Sequence, residues 1–302
     1  MASLYTQQSR NVFRTWMLMT VFLVVVILIG WGASYYFNNS AVLYIAVGFA
    51  FVMNFYAYWF SDKVAIHSTG AKPADEREYI ELHRIVENLA ITAGLPKPRV
   101  YIINDPAPNA FATGRNKEHA AIAVTTGLLG MMERNELEGV LAHELSHIGN
   151  RDILVMTVAV VLVGVISVIA NMAMHVSMFG GGRDDRDRGG NIFALIGFLI
   201  AIIFAPIAAQ LIQLAISRRR EFLADASGAL LTRYPDGLAS ALGKIGAYPA
   251  PMQRASTSTA HLFISNPFGT AGRKSAGQWL QKLFSTHPPV AERVAALEGM
   301  NV

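Results

Sequence analysis

The sequence contains no cysteine. This excludes a disulfide framework, a thiol nucleophile, a thiolate zinc site and an iron–sulfur cluster. Charged side chains are also scarce, at 15% of the 302 residues, whereas average soluble proteins carry about 25%. Hydrophobic residues make up 53% of the chain, and the mean hydropathy is +0.35. The composition therefore indicates a membrane protein and disfavours an ordinary soluble globule.

The chain also lacks a concentrated basic surface. Its 25 basic and 21 acidic residues give a net charge of +4, and the basic residues are not interleaved with aromatic ones. A face that binds nucleic acid would need Lys and Arg clustered together, so we expect no nucleic-acid partner.

Four long apolar stretches are present. A helix needs roughly 20 apolar residues to cross about 30 Å of hydrocarbon, and none of the four contains Asp, Glu, Lys or Arg. They cover residues 16–35, 41–60, 153–179 and 192–216. The first can alternatively be a signal peptide, because Arg10 and Arg14 precede it, but bulky Trp31 near its end favours an uncleaved anchor. The sequence predicts transmembrane hairpins at 12–60 and 153–216.

Positive charge is distributed unevenly around these stretches. Basic residues flank the first, second and fourth stretches, at Arg10, Arg14, Lys63, Lys72, Arg77 and residues 218–220. The turn between the first two stretches carries no charge, and the loop at 180–190 balances three Arg with three Asp. Because Lys and Arg accumulate on the cytoplasmic side, we expect both termini and both polar regions, 61–152 and 217–302, to face the cytoplasm.

The two polar regions have the patterns of a mixed domain. Near-helical apolar spacing predicts helices at 74–94, 135–149 and 289–297, and a further helix that continues from the fourth stretch. Short apolar runs predict strands at 99–103, 109–113 and 120–124. Residues 243–277 are rich in Gly, Pro, Ser and Thr, which is typical of long loops. We therefore expect an α+β membrane protein whose catalytic domain is assembled from both polar regions.

One motif of the first region carries chemistry: residues 143–147 read HELSH. Positions i and i+4 share one face of a helix, so His143 and His147 can both bind one zinc ion. Glu144 lies about 100° around the same helix, where it can activate a water at the metal instead of binding the metal. The alternative is a surface helix with two incidental histidines, which the independent helical pattern over 135–149 disfavours.

A catalytic zinc site needs a third protein ligand and an open position for water. The spacing that supplies a third His in metzincins leads here to Ile153. A downstream Glu is the other source, and the segment RRREFLADA offers Glu221, with Asp225 one turn later. Asp225 can then accept a hydrogen bond from a ligand imidazole. The competing interpretation makes both acidic residues surface partners of the arginines at 218–220.

The predicted membrane helices favour Glu221 as the third ligand. His147 lies six residues before the third apolar stretch, and Glu221 lies five residues after the fourth. At 1.5 Å per residue, both are roughly 8–9 Å beyond the hydrocarbon edge. If the two stretches form an antiparallel pair, the ligands meet at one height, just above the membrane surface.

These motifs resemble the HtpX-type membrane zinc metalloproteases, which are related to the CaaX prenyl proteases and the Oma-type proteases. The resemblance rests on HELSH followed by GNRD, on RRREFLADASG, on NAFATG at 109–114 and on STHPPVAER at 285–293. It implies a gluzincin-like protease of quality control and stress response, which faces the cytoplasm from a bacterial inner membrane. It also implies one zinc ion per chain on His143, His147 and Glu221, with Glu144 as the general base.

Two further segments are candidates for contacts with a substrate. Asn109, Ala110 and Phe111 lie in a predicted strand that can bind an extended peptide by strand addition, although a plain strand is the alternative. His287 and Arg293 flank a Pro-Pro helix start and can reach the oxyanion of the reaction, although a helix cap and a surface Arg are the alternative. The histidines with no partner at ligand spacing are expected on the surface: His67, His83, His119 and His261.

The sequence thus predicts a membrane-embedded zinc endopeptidase that cleaves cytoplasmic loops or unfolded segments of membrane proteins. The rival interpretation is a catalytically silent membrane scaffold held by zinc, which would not need Glu144. A transporter is disfavoured, because the apolar stretches contain none of the charged residues that mark ion pathways.

Overall fold

The computed structural model describes residues 4–36, 38–179, 218–254, 256, 258–269 and 288–300, and it describes the backbone alone at 4–8 and 169–179. In chain order the described helices are α1 (Leu4–Tyr36), α2 (Ala41–Thr69), α3 (Ile80–Thr92), α4 (Thr126–Met131), α5 (Arg134–Gly149), α6 (Asp152–Phe179), α7 (Arg218–Thr232), α8 (Pro235–Ala247) and α9 (Val290–Glu298). The described strands are β1 (Lys72–Pro73), β2 (Arg99–Ile103), β3 (Ala110–Thr113) and β4 (Ala121–Thr125).

Two of the described helices are long and apolar enough to cross a membrane, over Ser9–Tyr36 and Ala41–Thr69. A third candidate arises if Arg134–Gly149 and Asp152–Val168 are taken as one span with a bend of 84°. The first part of α6 packs against α1 and α2 in one apolar cluster. The predicted fourth stretch, 192–216, lies outside the described residues.

The small sheet has the strand order β1-β2-β4-β3, so β3 forms one edge. β2 runs parallel to β4, and β3 runs antiparallel to β4, with Ala112 opposite Ile122. Every residue of β3 and β4 is buried, which fits their continuous apolar sequences, because a sheet covered on both faces needs no alternation. The edge strand β3 contacts both α5 and α6, which brings it close to the HELSH motif.

The helix that carries HELSH, α5, crosses α7 at very close range. A Cβ added to Gly228 would lie 2.9 Å from the backbone nitrogen of His143, so the approach requires glycine. At the other end of α5, Arg151 adopts a left-handed φ of 59° between α5 and α6. This residue forms the corner of the 84° bend, and the bend places Asp152 beside His147.

The helix predicted at 74–94 begins later, at Ile80. The reason is a turn at its predicted start: the Asp75 carboxylate accepts hydrogen bonds from the N–H groups of Arg77 and Glu78. Short side chains of this type compete with helix by bonding the nearby backbone. The three predicted strands are present, each within one residue of its predicted bounds.

Helix α8 was missed by the sequence prediction. Its signals are Pro235 in the first turn and the buried residues Leu238, Leu242 and Ile245 at helical spacing. The prediction of long loops from residue 243 was therefore wrong at its start, because the loops begin only after the end of α8.

Two of the four histidines expected on the surface are buried, so that expectation was wrong for them. His83 Nε2 donates a hydrogen bond to the main-chain oxygen of Ala74 at 3.2 Å, and His261 Nε2 donates to that of Met156 at 2.9 Å. Both imidazoles therefore tie separate chain segments together within the core. His67 and His119 are exposed, as expected.

Candidate active site

Three buried side chains converge at one point: His143, His147 and Glu221. The two Nε2 atoms are 3.1 Å apart. Oxygen atoms of Glu221 lie 3.9 Å from Nε2 of His143 and 3.6 Å from Nε2 of His147. The histidines are one turn apart on α5, and Glu221 is in the first turn of α7, so the close crossing of these two helices builds the cluster.

The spacing of these atoms fits a single zinc ion. For metal–ligand distances of about 2.0–2.2 Å, two ligand atoms of a tetrahedron lie roughly 3.3–3.6 Å apart, close to the observed 3.1, 3.6 and 3.9 Å. Each imidazole has its Nδ1 within 3.0 Å of a carboxylate, which leaves both Nε2 atoms directed into the cluster. Two imidazoles and one carboxylate are a donor set of catalytic zinc sites with an open position.

His143 is held from α7 and α9. Its Nδ1 lies 2.9 Å from Oδ1 of Asp225. Arg293 donates two hydrogen bonds to the Asp225 carboxylate, at 2.8 and 2.6 Å, and a third to the main-chain oxygen of Ile264 at 3.0 Å. Its Nη1 is also 3.7 Å from Oε2 of Glu221. With 1% of its surface exposed, Arg293 is not a surface residue. It contacts Asp225, Ile264 and Glu221 and so links α9 to α7 and to the loop that contains Ile264.

His147 is held from the membrane helices. Its Nδ1 lies 3.0 Å from Oδ2 of Asp152. Asn11 of α1 donates through Nδ2 to Oδ1 of Asp152 at 2.6 Å and to the main-chain oxygen of Asn150 at 3.0 Å. Arg220 donates to Oδ1 of Asn11 at 3.3 Å. All of these side chains are buried, so a chain of polar contacts connects the first membrane helix to the metal cluster.

Asp152 and Asn11 are residues of the site that sequence reasoning missed. The signal for Asp152 is a carboxylate five residues after the second histidine, at the head of an otherwise uncharged apolar stretch. Asn11 carries no such signal, because its role depends on α1 packing beside α6, and that contact is not encoded in local sequence.

The two imidazoles have pKa values shifted in opposite directions. Burial lowers the pKa of His143 to about 4, and Asp225 only partly opposes this shift, because the cation of Arg293 is close. Burial also acts to lower the pKa of His147, but the hydrogen bond that His147 donates to Asp152 and the charge of Glu221 outweigh it and raise that pKa to about 9.

Glu144 lies between the cluster and the edge strand. Its carboxylate accepts a hydrogen bond from the backbone N–H of Ala112 in β3. Burial raises the pKa of Glu144 to about 7; the charge of His147 opposes this shift and the charge of Glu221 adds to it. A carboxyl group with a pKa near the working pH is well suited to both take and return a proton.

The outer edge of β3 is partly covered by the chain itself. The N–H of Ile264 donates to the main-chain oxygen of Ala110 at 2.9 Å. The side-chain amide of Asn109 donates to the main-chain oxygen of Ser265 at 3.0 Å. The same amide accepts a hydrogen bond from the main-chain N–H of Ser265 at 3.3 Å. We call residues 262–266 the covering segment. Two of the residues predicted to contact substrate, Asn109 and Ala110, thus contact this segment.

Of the two remaining predicted site residues, the structure describes Phe111. Phe111 is fully buried and packs edge-on against Phe263, with ring centroids 5.2 Å apart, so its side chain belongs to the core. His287 lies outside the described residues.

Comparison with known proteins gives a consistent result. Residues 76–301 match the model of peptidase family M48. The chain is 47% identical to the "Protease HtpX homolog" of Caldanaerobacter subterraneus subsp. tengcongensis over 99% of both chains. It is 51% identical to the protein of the same name from Pyrococcus furiosus, over 88% of this chain and 89% of that one. Similarity to the crystal structure of S. mikatae Ste24p has a TM-score of 0.49 and 18% identity, over 97% of this chain and 67% of the other.

The match covers most of the chain, and it includes the histidine pair and Glu221 of the metal cluster. A family of peptidases also favours an enzyme over the scaffold and transporter interpretations. The chain is a membrane metallopeptidase and belongs to peptidase family M48.

Proposed function

We propose that this protein is a zinc-dependent endopeptidase that cleaves cytoplasmic loops or unfolded segments of membrane proteins, in quality control and the stress response. The observation that carries the proposal is the buried cluster of His143, His147 and Glu221, which lies beside Glu144 and is tied to a membrane helix. One zinc ion per chain fits the cluster.

The chemistry divides between the ion and one carboxylate. A zinc ion held by His143, His147 and Glu221 would supply Lewis acidity, which would make a water more acidic and polarise the peptide carbonyl. Glu144, ionised above its pKa, takes a proton from the attacking water. The same carboxyl group then delivers the proton to the leaving amine.

The residues behind the ligands position the imidazoles. Asp225 and Asp152 each accept a hydrogen bond from the Nδ1–H of one ligand, which fixes the tautomer that presents a lone pair at Nε2. Arg293 holds Asp225 by two hydrogen bonds, and Asn11 holds Asp152. We assign these four residues to positioning and not to bond making.

The contact with α1 supports a site at the membrane surface. Asn11 is the third residue of the span-length segment Ser9–Tyr36, so the cluster lies beside the end of a span and not its middle. Basic residues surround this end in the sequence: Arg10, Arg14, Arg218, Arg219 and Arg220. Because cytoplasmic flanks are rich in Lys and Arg, we place the site on the cytoplasmic face of a bacterial inner membrane, with residues 192–216 as a fourth span.

The substrate class follows from this position. A peptide must be extended to lie along β3. A helix inside the hydrocarbon cannot unwind without leaving backbone groups unpaired, so the expected cuts fall in loops and juxtamembrane segments. A shared bilayer raises the effective concentration of such substrates.

The first test separates metal binding from catalysis. Full-length wild-type protein and Glu144→Gln are reconstituted in vesicles with a tagged membrane-protein substrate, and zinc content is measured by mass spectrometry. We expect Glu144→Gln to retain zinc but to cleave about 10²–10⁴-fold more slowly. Glu138→Gln is the matched control on the same helix, because that carboxylate pairs with Arg134 at 3.0 Å and not with the cluster. Cleavage by Glu144→Gln at the wild-type rate would contradict the proposal.

The second test concerns where cuts fall. One cleavable sequence is placed in a cytoplasmic loop, beside a span or within a span of the same reporter, and the product termini are sequenced. Cuts in the first two positions are expected. Efficient cutting within the span would show that the proposed height of the site is wrong.

A further inference from the structure

A cavity separate from the metal site lies where α2 meets the sheet domain. Its volume is about 600 Å³, and aromatic side chains of α2 and basic side chains share its lining. The lining residues that matter here are Phe55, Trp59, Phe60, Lys63, Arg99 and Arg115. No part of the proposed peptidase mechanism uses this cavity.

Two cations of this cavity lack an acidic partner. The two acidic lining residues contact other cations: Asp62 pairs at 2.8 Å with Arg99, which also lines the cavity, and Glu118 lies 4.0 Å from Lys117. In the part of the chain that the structure describes, neither Lys63 nor Arg115 has a carboxylate oxygen within 4.0 Å. Three cations and two carboxylates line the cavity, so its net charge is positive, and Lys63 and Arg115 are the lining cations without a carboxylate partner among the described residues.

Both cations are held against aromatic rings. Lys63 Nζ lies 5.3 Å from the centroid of the Phe60 ring. The Arg115 guanidinium lies 4.7 Å from that of Trp59 and donates to the main-chain oxygen of Trp59 at 3.3 Å. Such contacts fix the direction of the charges without neutralising them.

The aromatic lining continues into an exposed apolar face of α2. The exposed residues of this face are Tyr44, Ile45, Phe51, Val52, Phe55, Tyr56 and Trp59. Because α2 is long and apolar enough to cross a membrane, this face is expected to contact acyl chains. Lys63 follows Trp59 by one helical turn, and Trp followed by Lys is typical of the headgroup level.

We propose that this cavity binds the phosphate of an anionic phospholipid, with Lys63 and Arg115 as its cations and the acyl chains along the apolar face of α2. Basic pockets beside membrane helices bind anionic headgroups, and the planar donors of Arg suit phosphate oxygens. Arg115 lies two residues after the end of β3, so a lipid bound here would contact both the membrane helix and the loop after the edge strand.

The test measures the lipid retained by full-length protein. Protein is extracted from vesicles of phosphatidylcholine alone or with phosphatidylglycerol, and bound lipid is counted by native mass spectrometry. The double variant Lys63→Gln/Arg115→Gln is compared with Arg77→Gln/Arg84→Gln, which removes the same charge from exposed positions outside the cavity. We expect the first pair to bind phosphatidylglycerol about 30-fold more weakly, since each cation near an anionic surface contributes roughly a factor of five. The second pair should bind like wild type.

Further arms distinguish other occupants. Lys63→Gln alone, at an exposed position, should fold and still lose about fivefold in binding. Excess inorganic phosphate should not displace the lipid; if it does, the cavity is a site for a soluble anion and the proposal fails. The proposal also fails if both lipids are retained equally by all variants. A higher KM for a loop substrate with unchanged lipid retention would identify the cavity as a substrate contact and overturn it.

An independent observation concerns the covering segment, and the inference from it rests on the proposed function. Ile264 has both main-chain groups engaged at the site: its N–H bonds Ala110 and its oxygen accepts from Arg293. Its side chain is buried in the main core. Together with the bonds between the Asn109 side chain and the main chain of Ser265, this backbone bond covers the start of the sheet edge along which an extended peptide would add as a strand.

We infer that the covering segment occupies the place of an extended substrate, so that a substrate must displace it before cleavage. The test follows hydrogen exchange in inactive Glu144→Gln as an extended peptide is added. Amides of residues 262–266 should exchange faster when the peptide binds, while those of β2 should not change. Ile264→Gly, which weakens the anchor, should cleave a short peptide about tenfold faster than wild type.

Unchanged or slower exchange in 262–266 on peptide binding would overturn this inference alone, because wild-type cleavage measured in parallel reports on the proposed function. The same holds if Ile264→Gly binds zinc normally and cleaves no faster. Gln253→Gly, in the preceding loop, is the control for added backbone freedom.

Discussion

The two histidines proposed as metal ligands are supported by different parts of the molecule. His143 depends on Asp225, which Arg293 holds by two hydrogen bonds, and all three lie within the region that matches the peptidase family. His147 depends on Asp152, which is held by Asn11, a residue of the first membrane helix that precedes that region. The first span-length helix is therefore part of the proposed metal centre.

The two sides also differ in charge. His143 shares its carboxylate with the cation of Arg293, so its pKa stays low, at about 4. His147 faces carboxylates without a cation that competes as closely, and its pKa rises to about 9. In the metal-free cluster the proton is therefore expected on the side supported by the membrane helices.

Loss of the ligand that joins the two sides should have the largest effect. Glu221 contacts both imidazoles, so we expect Glu221→Ala to lose zinc and all measurable cleavage. Zinc per chain after dialysis and hydrolysis of a membrane substrate are the readouts. Wild-type zinc content in Glu221→Ala would show that the third ligand is a different residue.

The next largest effect should come from the His143 side. Arg293→Gln leaves the Asp225 carboxylate buried without its partner, and breaking a buried pair in this way costs about 3–5 kcal/mol. We expect a large fall in the unfolding temperature of the zinc-loaded protein, which is measured by intrinsic fluorescence. Arg134→Gln, which removes an exposed cation that pairs with Glu138 on α5, is the control and should change it little. Equal stability of both variants would mean that Asp225 finds another cation.

The dependence of zinc affinity on pH should report the His147 side. Because the pKa of His147 is raised to about 9, a proton competes with zinc below that pH. The pKa of His143, about 4, removes that residue from competition above pH 7. We expect affinity to rise about tenfold per pH unit between pH 7 and 9, measured with a competing chelator. A rise of about a hundredfold per pH unit, which means that two protons are released on binding, would show that His143 and His147 compete with protons equally.

The cleavage rate should fall at low pH for a separate reason, which is the protonation of Glu144. Its raised pKa, about 7, means that the base is ionised above this pH and becomes protonated as the pH falls. A bound divalent cation acts in the opposite direction and lowers the pKa of Glu144 again. With saturating zinc, we therefore expect the cleavage rate to fall about tenfold per pH unit below a midpoint at or under pH 7. A midpoint above pH 8 would contradict this assignment.

The smallest effect should come from the membrane helix itself. Removing a group that positions a metal ligand typically lowers metal affinity 10–100-fold, and we expect Asn11→Ala to lie at the low end, because Arg220 remains near Asp152 at 3.7 Å. Thr15→Ala is the control, one turn along α1, where the buried hydroxyl donates to the main-chain oxygen of Asn11. Equal zinc affinity in the two variants would show that α1 does not contribute to the site.

Local patterns predicted much of this molecule. The i, i+4 spacing of His143 and His147 requires only that the segment be helical, and strands β2, β3 and β4 follow from short apolar runs. Contacts between distant segments were not predictable in the same way. Asn11 reaches Asp152 only because α1 packs against α6. Ile264 contacts β3 through its backbone N–H. Because every residue except proline has this group, the residue type does not predict the contact.

The crossing of α5 and α7 sets a narrow tolerance for the metal cluster. At Gly228 the two backbones touch, and Glu221 lies two turns away on the same rigid helix. A methyl group at residue 228 would push α7 away from α5. The Glu221 carboxylate would then move away from both imidazoles. The position of the Glu221 carboxylate therefore depends on the absence of a Cβ atom at Gly228, about 10 Å along the helix from Glu221.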